Sequence, residues 1–101
     1  AGELSFGQTK LLEFARLLML DPHLLLLDEP VAGVHPRLIT QLENVIQELH
    51  GQKTFLIVEH NVTLISRLCD RVVVFNEGRV LTEGSILAVK NDPRVQEAYF
   101  G

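Results

Sequence analysis

Apolar residues along the chain alternate between helical spacing and short uninterrupted runs, and this alternation predicts the order of the elements. Residues 5–20 carry apolar side chains at helical spacing, and Asp21-Pro22 ends this first helix. Residues 24–28 form a continuous apolar run, which is typical of a strand covered on both faces. A second helix begins at Pro36 and is the clearest in the chain, with an apolar stripe made of Leu38, Leu42, Val45 and Leu49.

The remaining residues predict a second buried strand, three short helices and a hairpin. These elements are a strand over residues 54–58, a helix over 62–68 capped by Asn61, a hairpin of 71–75 and 79–83, and short helices over 85–90 and 93–100. Strand, helix, strand, helix and strand in this order predict an α/β fold, a doubly wound parallel sheet with a C-terminal β-hairpin. The length of residues 1–101 fits one small domain or a piece of a larger one.

Composition and charge exclude several function classes. Hydrophobic residues make up 47% of the 101 residues, so a core can form. The net charge of −4 and the scattered Lys and Arg residues argue against a nucleic-acid partner and against a polybasic membrane patch. No apolar run approaches the ~20 residues that a membrane-spanning helix needs, so we expect no direct membrane insertion. The single cysteine, Cys69, fits a reducing cytoplasm and core packing.

Two carboxylates, Asp28 and Glu29, follow the first apolar strand and precede Pro30. A carboxylate at the carboxyl end of a parallel strand can hold Mg²⁺, and its neighbour can orient an attacking water. The competing interpretation is a solvated loop after a strand. The four preceding leucines and the segment described next favour a metal–nucleotide site.

A second candidate, Ser5-Phe6-Gly7-Gln8, opens the first helix. A helix N-terminus presents unpaired N–H groups to an anion, and a glycine lets the backbone approach closely. The competing interpretation is an ordinary capped helix with Ser5 as the cap. Its position about twenty residues before the acidic strand end favours phosphate binding.

His60 follows the second strand, beside Glu59. Its imidazole can hydrogen-bond a terminal phosphate or the carboxylate of Glu29, although a lone histidine there is often only a polar loop residue. A Gly2-to-Thr9 stretch imitates a phosphate-binding P-loop. We reject it because Gln8 occupies the lysine position and no strand precedes it.

These segments resemble the ATP-binding subunits of ABC transporters. Residues 4–8 are similar to the signature motif, residues 24–30 to the Walker B strand, and residues 31–36 to the D-loop, and His60 is similar to the switch histidine. The order and spacing of all four agree over essentially the whole chain. The subunits of branched-chain amino-acid importers are the closer match, because of Ala32-Gly33, Glu59-His60-Asn61 and residues 69–72 and 91–99.

The resemblance implies a function for each candidate. Glu29 is the catalytic glutamate that polarises water, and His60 senses the γ-phosphate. The residues assigned to ATP and its Mg²⁺ are Ser5, Phe6, Gly7, Gln8 and Asp28, with Asp28 holding the metal through water. Phe6 replaces the commoner glycine, and His35 stands where the D-loop usually has Asp or Asn.

The resemblance also implies that the Walker A segment, the adenine-stacking aromatic and the glutamine loop precede these residues. We therefore expect a partial domain, the C-terminal half of a cytoplasmic subunit. In the complete complex, that subunit pairs with a second ATP-binding subunit and with permease subunits at the inner membrane face. We expect the 101 residues alone to be inactive and to homo-oligomerise or swap strands, because the missing strand leaves a gap in the sheet. The alternatives are a stand-alone dimerising or partner-binding module without catalysis, and a DNA-repair or chromosome-maintenance ATPase.

Overall fold

The computed structural model describes residues 5–100, apart from the side chain of residue 100. They fall into two compact units, one reaching to His60 and the other beginning at Asn61. The first unit contains α1 (Phe6–Met19), β1 (Leu24–Asp28), α2 (Pro36–Leu49) and β2 (Thr54–Val58). The second contains α3 (Val62–Leu68), β3 (Val72–Asn76), β4 (Arg79–Gly84), α4 (Ile86–Lys90), α5 (Pro93–Val95) and a π-helical turn (Gln96–Phe100). The predicted α/β class and the order of elements are confirmed.

In the first unit, β1 and β2 pair in parallel without a register shift, from Leu24 opposite Thr54 to Asp28 opposite Val58. Because the strands are parallel, both end at the same edge of the sheet. In α/β folds of this kind, ligands bind at the carboxyl ends of the strands. Leu25 is only 1% exposed, and the helices contribute further buried side chains, namely Phe14, Leu42 and Ile46.

The prediction that the first strand is covered on both faces is wrong for the described residues. Leu24 and Leu26 of β1 and Leu56 and Val58 of β2 are between 53% and 65% exposed. Parallel sheets normally need helices on both faces to bury such side chains, and here only alternate residues are covered. We call Leu24, Leu26, Leu56 and Val58 the open apolar face. No described strand pairs with the edge of β2 that faces away from β1.

In the second unit, β3 and β4 form an antiparallel hairpin with an irregularity between Val74 and Phe75. Glu77 and Gly78 turn the chain with φ values of 52° and 75°, which confirms the hairpin predicted from the sequence Asn76-Glu77-Gly78. Val89 of α4 and Val95 of α5 pack with Val74 as the core of this unit. The final helix differs from the prediction, because it continues as a π-helical turn after Val95, and there the Tyr99 hydroxyl donates a hydrogen bond to the carbonyl of Phe75.

Candidate functional site

Glu29 occupies a constrained position just beyond the carboxyl end of β1. Its N–H donates a 2.8 Å hydrogen bond to the carbonyl of Val58, which extends the parallel pairing by one residue. Its φ of +44° lies in the left-handed region, which non-glycine residues seldom adopt. Such a conformation persists only where surrounding contacts hold it, and it is often found at functional sites. The backbone of Glu29 is therefore held in an unusual conformation at the edge where both strands end.

The carboxylate of Glu29 meets His60, which follows β2. The distance between Nδ1 of His60 and Oε1 of Glu29 is 3.2 Å, so the structure shows one of the two partners that the sequence offered for this imidazole, and the other, a terminal phosphate, stays a prediction. The His60 side chain is 75% exposed and that of Glu29 50%, so a ligand can reach both. The N–H of His60 also donates to a carboxylate oxygen of Glu59 at 3.1 Å, which restrains the backbone of the histidine. This geometry suits a carboxylate that accepts a proton or orients water beside an imidazole.

Asp28 supplies a second, exposed carboxylate at the same edge. The described residues contain no cluster of three or more acidic, histidine or cysteine side chains that would hold a metal by themselves. Mg²⁺ usually needs only one or two protein carboxylates, since waters and substrate phosphates complete its six ligands. The donor set of Asp28 and Glu29 therefore fits a magnesium–nucleotide site and does not fit an all-protein metal cage.

The N-terminus of α1 forms a complete capping box. Oγ of Ser5 accepts a hydrogen bond from the N–H of Gln8 at 3.2 Å, and Oε1 of Gln8 accepts one from the N–H of Ser5 at 3.0 Å. Phe6, at the first helical position, is 61% exposed. Among the described residues, no hydrogen bond joins Ser5 or Gln8 to the carboxylates at the strand edge. The ordinary capped helix is therefore present, and its exposed end remains open to an anion.

Helix packing gives a second reason for a glycine at position 7, and the sequence alone did not reveal it. A Cβ at this position would lie 2.7 Å from Cδ1 of Leu38 in α2 and 3.4 Å from Cγ1 of Val34. The residue is buried at the contact between the two helices. Close helix packing, and not only the approach of a phosphate, therefore favours a glycine here, because a larger residue would force the Leu38 side chain to shift.

The loop between β1 and α2 lies against the start of α1. Gly33 has a φ of +71°, and an added Cβ would lie 3.0 Å from Cε1 of Phe6. His35 caps α2, because its Nδ1 accepts a 3.1 Å hydrogen bond from the N–H of Arg37. The sequence signal for this cap was Pro36, which is favoured at the first position of a helix.

A groove of about 210 Å³ runs between α1, β1 and α2 and is mostly apolar. Lys10 and Asp28 lie among its lining residues. Lys10 was not singled out by sequence analysis, yet its Nζ donates a 3.2 Å hydrogen bond to the carbonyl of Glu29.

Cys69, in the second unit, has the environment of a packing residue. Burial raises the pKa of its thiol, and the neighbouring charge of Asp70 raises it further. A raised thiol pKa lowers the thiolate fraction at neutral pH, which disfavours nucleophilic chemistry. None of the described helices is both long enough and apolar enough to span a bilayer.

Comparisons with known proteins show which family the chain is similar to. A family model described as "ABC transporter" matches residues 1–32. The high-affinity branched-chain amino acid transport ATP-binding protein LivG of Escherichia coli K12 is 38% identical over 103 residues, which cover 100% of this chain and 40% of LivG. The probable LivG protein of Methanocaldococcus jannaschii is 42% identical and is covered to 41%.

Solved structures give the same result. A nucleotide-free ATP-binding cassette from an ABC transporter matches with a TM-score of 0.86 and 40% identity, over 100% of this chain and 42% of the cassette. A cassette in its ADP conformation matches with a TM-score of 0.84 and 42% identity, over the same shares of the two chains. The chain thus spans about two fifths of the length of the curated relatives it matches. Over its whole length, the chain is therefore similar to a stretch of about two fifths of the ABC transporter ATP-binding subunits that bear the LivG name.

Proposed function

We propose that this chain is the part of an ABC ATP-binding subunit that carries the signature helix and the catalytic carboxylate. The complete subunit would bind and hydrolyse ATP and so power the uptake of branched-chain amino acids. The observation that carries this proposal is the Glu29–His60 pair, 3.2 Å apart at the shared carboxyl end of β1 and β2. The relatives named above, which are branched-chain amino acid transport ATP-binding proteins, support the substrate class.

In this proposal Glu29 orients the water that attacks the terminal phosphate. The left-handed backbone holds its carboxylate beside His60, and the imidazole keeps that carboxylate in place while its exposed edge reaches the phosphate. Asp28 would hold Mg²⁺ through water, and the metal would neutralise charge on the phosphates. Efficient proton acceptance depends on such prior positioning, because an untethered carboxylate would have to be ordered at each turnover.

The start of α1 is proposed to bind a different ATP molecule, one held by a second ATP-binding subunit. Ser5, Phe6, Gly7 and Gln8 are the residues assigned to it. The support is physical, since the first N–H groups of a helix have no partner inside the helix and the positive end of its dipole attracts phosphate. The exposed Phe6 leaves this end accessible. Permease subunits would hold the complex at the cytoplasmic face of the membrane.

The 101 residues alone are proposed to be inactive and to associate. The open apolar face exposes two leucines of β1 together with Leu56 and Val58, and one edge of β2 has no described strand beside it. Such edges and faces favour pairing with another chain. The same observation supports the alternative function, a dimerising or partner-binding module without catalysis.

Turnover by the complete subunit, assembled with its permease, tests the proposal. Glu29→Gln should lower ATP turnover by about two orders of magnitude or more while ATP binding persists, because a positioned base contributes that much. Glu48→Gln is the matched control, since it removes an exposed carboxylate at the far end of α2. Wild-type turnover in Glu29→Gln would refute the proposed function. ATP hydrolysis by the pure 101-residue chain that disappears in Glu29→Gln would refute the inactivity of the chain alone.

A further inference from the structure

Lys10 connects two parts of the first unit that are far apart in sequence. It lies in α1, one turn after Phe6, and is half-buried. Its Nζ donates a 3.2 Å hydrogen bond to the backbone carbonyl of Glu29, nineteen positions away. The same ammonium lies 5.3 Å from the centre of the Phe6 ring, within the range of a cation–π interaction. A single side chain thus contacts the exposed start of α1 and the backbone of Glu29.

The backbone of Glu29 needs such contacts. A left-handed conformation is unfavourable for a residue with a Cβ, and the φ here is +44°. The N–H of Glu29 is held by the carbonyl of Val58. The carbonyl of Glu29 accepts two hydrogen bonds, one from the N–H of Ala32 at 3.2 Å and one from Lys10. The Ala32 bond closes a turn, and Lys10 adds a charged donor from a different element.

We propose that Lys10 is a positioning residue for Glu29, which it holds by its backbone so that the carboxylate faces His60. This inference rests on the proposed function, because it gives Lys10 a role in turnover only if Glu29 has one. The geometry explains why a long cationic side chain is suited to the position. Lys10 lines the mostly apolar groove, and a lysine can pack its methylene groups on an apolar surface while its ammonium reaches a polar partner, here the carbonyl of Glu29.

Three variants of the complete subunit test this role. Lys10→Met keeps the apolar stem and removes the donor. Lys10→Arg keeps a charged donor, and Lys90→Met removes a lysine from the end of α4 as the matched control. Lys10→Met should lower kcat by about 10-fold and leave KM for ATP unchanged. A change of this size is what the loss of one charge-assisted hydrogen bond would cause. Lys10→Arg should retain most of the wild-type kcat, and Lys90→Met all of it.

Hydrogen exchange supplies a readout that does not depend on turnover. The amide of Ala32 should exchange faster in Lys10→Met than in wild type, because the Glu29 carbonyl that it bonds is then less fixed. The thermal midpoints of the variants, measured in parallel, show that folding is retained. Unchanged kcat in Lys10→Met, or unchanged Ala32 exchange, would each overturn the positioning role, as would failure of Lys10→Arg to restore either quantity.

Glu29→Gln, measured beside these variants, separates the two proposals. If Glu29→Gln lowers turnover and Lys10→Met does not, the positioning role is wrong and the proposed function stands. If Glu29→Gln leaves turnover at the wild-type level, the proposed function is wrong, and the role of Lys10 in turnover is overturned with it. In the Glu29→Gln background, Lys10→Met should cause no further loss of kcat, because positioning has no value without the carboxylate.

Discussion

Nδ1 of His35 accepts a hydrogen bond of 3.1 Å from the N–H of Arg37, so a histidine performs the capping of helix α2 that Asp, Asn or Ser usually performs. His35 has β-region dihedrals, with φ −62° and ψ 140°, as a capping residue requires. The departure from the usual Asp or Asn at this position of the loop therefore preserves the local structure.

This cap predicts the effect of replacing His35. His35→Ala should lower the free energy of unfolding by about 1 kcal/mol, because one N–H at the start of α2 loses its partner. His35→Asn and His35→Asp should keep wild-type stability, since both side chains can accept the same bond. Urea unfolding of the variants checks this, with His23→Ala as a control for loss of an exposed imidazole. Equal stability of His35→Ala and wild type would contradict the capping role.

The short distance between position 7 and the Leu38 side chain predicts that substitutions at the two positions have non-additive effects on stability. Gly7→Ala should destabilise the protein by about 1 kcal/mol, because the new Cβ displaces Cδ1 of Leu38 and this overpacking outweighs the gain in helix propensity. In the Leu38→Val background, which lacks that atom, Gly7→Ala should be neutral or stabilising. Denaturant unfolding of wild type, Gly7→Ala, Leu38→Val and the double variant gives the coupling energy between the two positions. An equal loss in both backgrounds would contradict the packing explanation.

The same four proteins separate the two explanations of Gly7. If close packing alone requires the glycine, ATP turnover of the complete subunit should recover in the double variant together with stability. If the glycine also lets the backbone approach a phosphate, stability should recover while turnover stays low.

Local patterns predicted most elements, and their bounds differ from the observed ones by a residue or two. The helix over residues 62–68 and its cap Asn61 agree, because capping and apolar periodicity are local properties. The sequence offered Glu29 as one of two possible partners of His60, since both residues follow parallel strands whose carboxyl ends meet at one edge.

The remaining features depend on contacts that no local pattern encodes. The partner of Lys10 is a backbone carbonyl, which any residue could supply, and the Cβ space at Gly7 depends on the rotamer of Leu38. The open apolar face was mistaken for a buried one because an uninterrupted apolar run does not show how many elements cover it.

Asp92 predicts a pH dependence in the second unit. Hydrogen bonds from the Arg94 side chain and N–H lower the pKa of Asp92 to about 2, from an ordinary value of 3.8. Because the folded-state pKa lies below that of the unfolded chain, the stabilisation is complete above about pH 4 and is lost as the pH falls towards 2. Asp92→Asn keeps an acceptor for the cap of α5 but cannot titrate. The free energy of unfolding, measured between pH 2 and 6, should change less with pH in Asp92→Asn than in wild type. Identical slopes in the two proteins would exclude the Asp92 carboxylate as the source of this pH dependence.

The open apolar face predicts concentration-dependent association of the isolated chain. Leu56→Lys should shift the chain towards smaller species in sedimentation velocity, because a charge placed on this face opposes burial against another copy. Leu87→Lys is the control, since Leu87 is an exposed leucine of α4 outside this face. A monomer at all concentrations, or an equal effect of the two substitutions, would contradict association through the open apolar face.

Glu29 and His60 predict non-additive losses of turnover in the complete subunit. His60→Ala removes the partner 3.2 Å from the Glu29 carboxylate, and Glu29→Gln removes the carboxylate itself. If the imidazole acts largely by holding that carboxylate, the double variant should be little slower than Glu29→Gln alone, as happens for groups that act as a unit. Single-turnover ATP hydrolysis at saturating ATP, measured for wild type, the two single variants and the double variant, checks this without interference from product release. Fully additive losses would show that His60 acts independently of Glu29, and the hydrogen bond between the two side chains would then have no part in the chemistry.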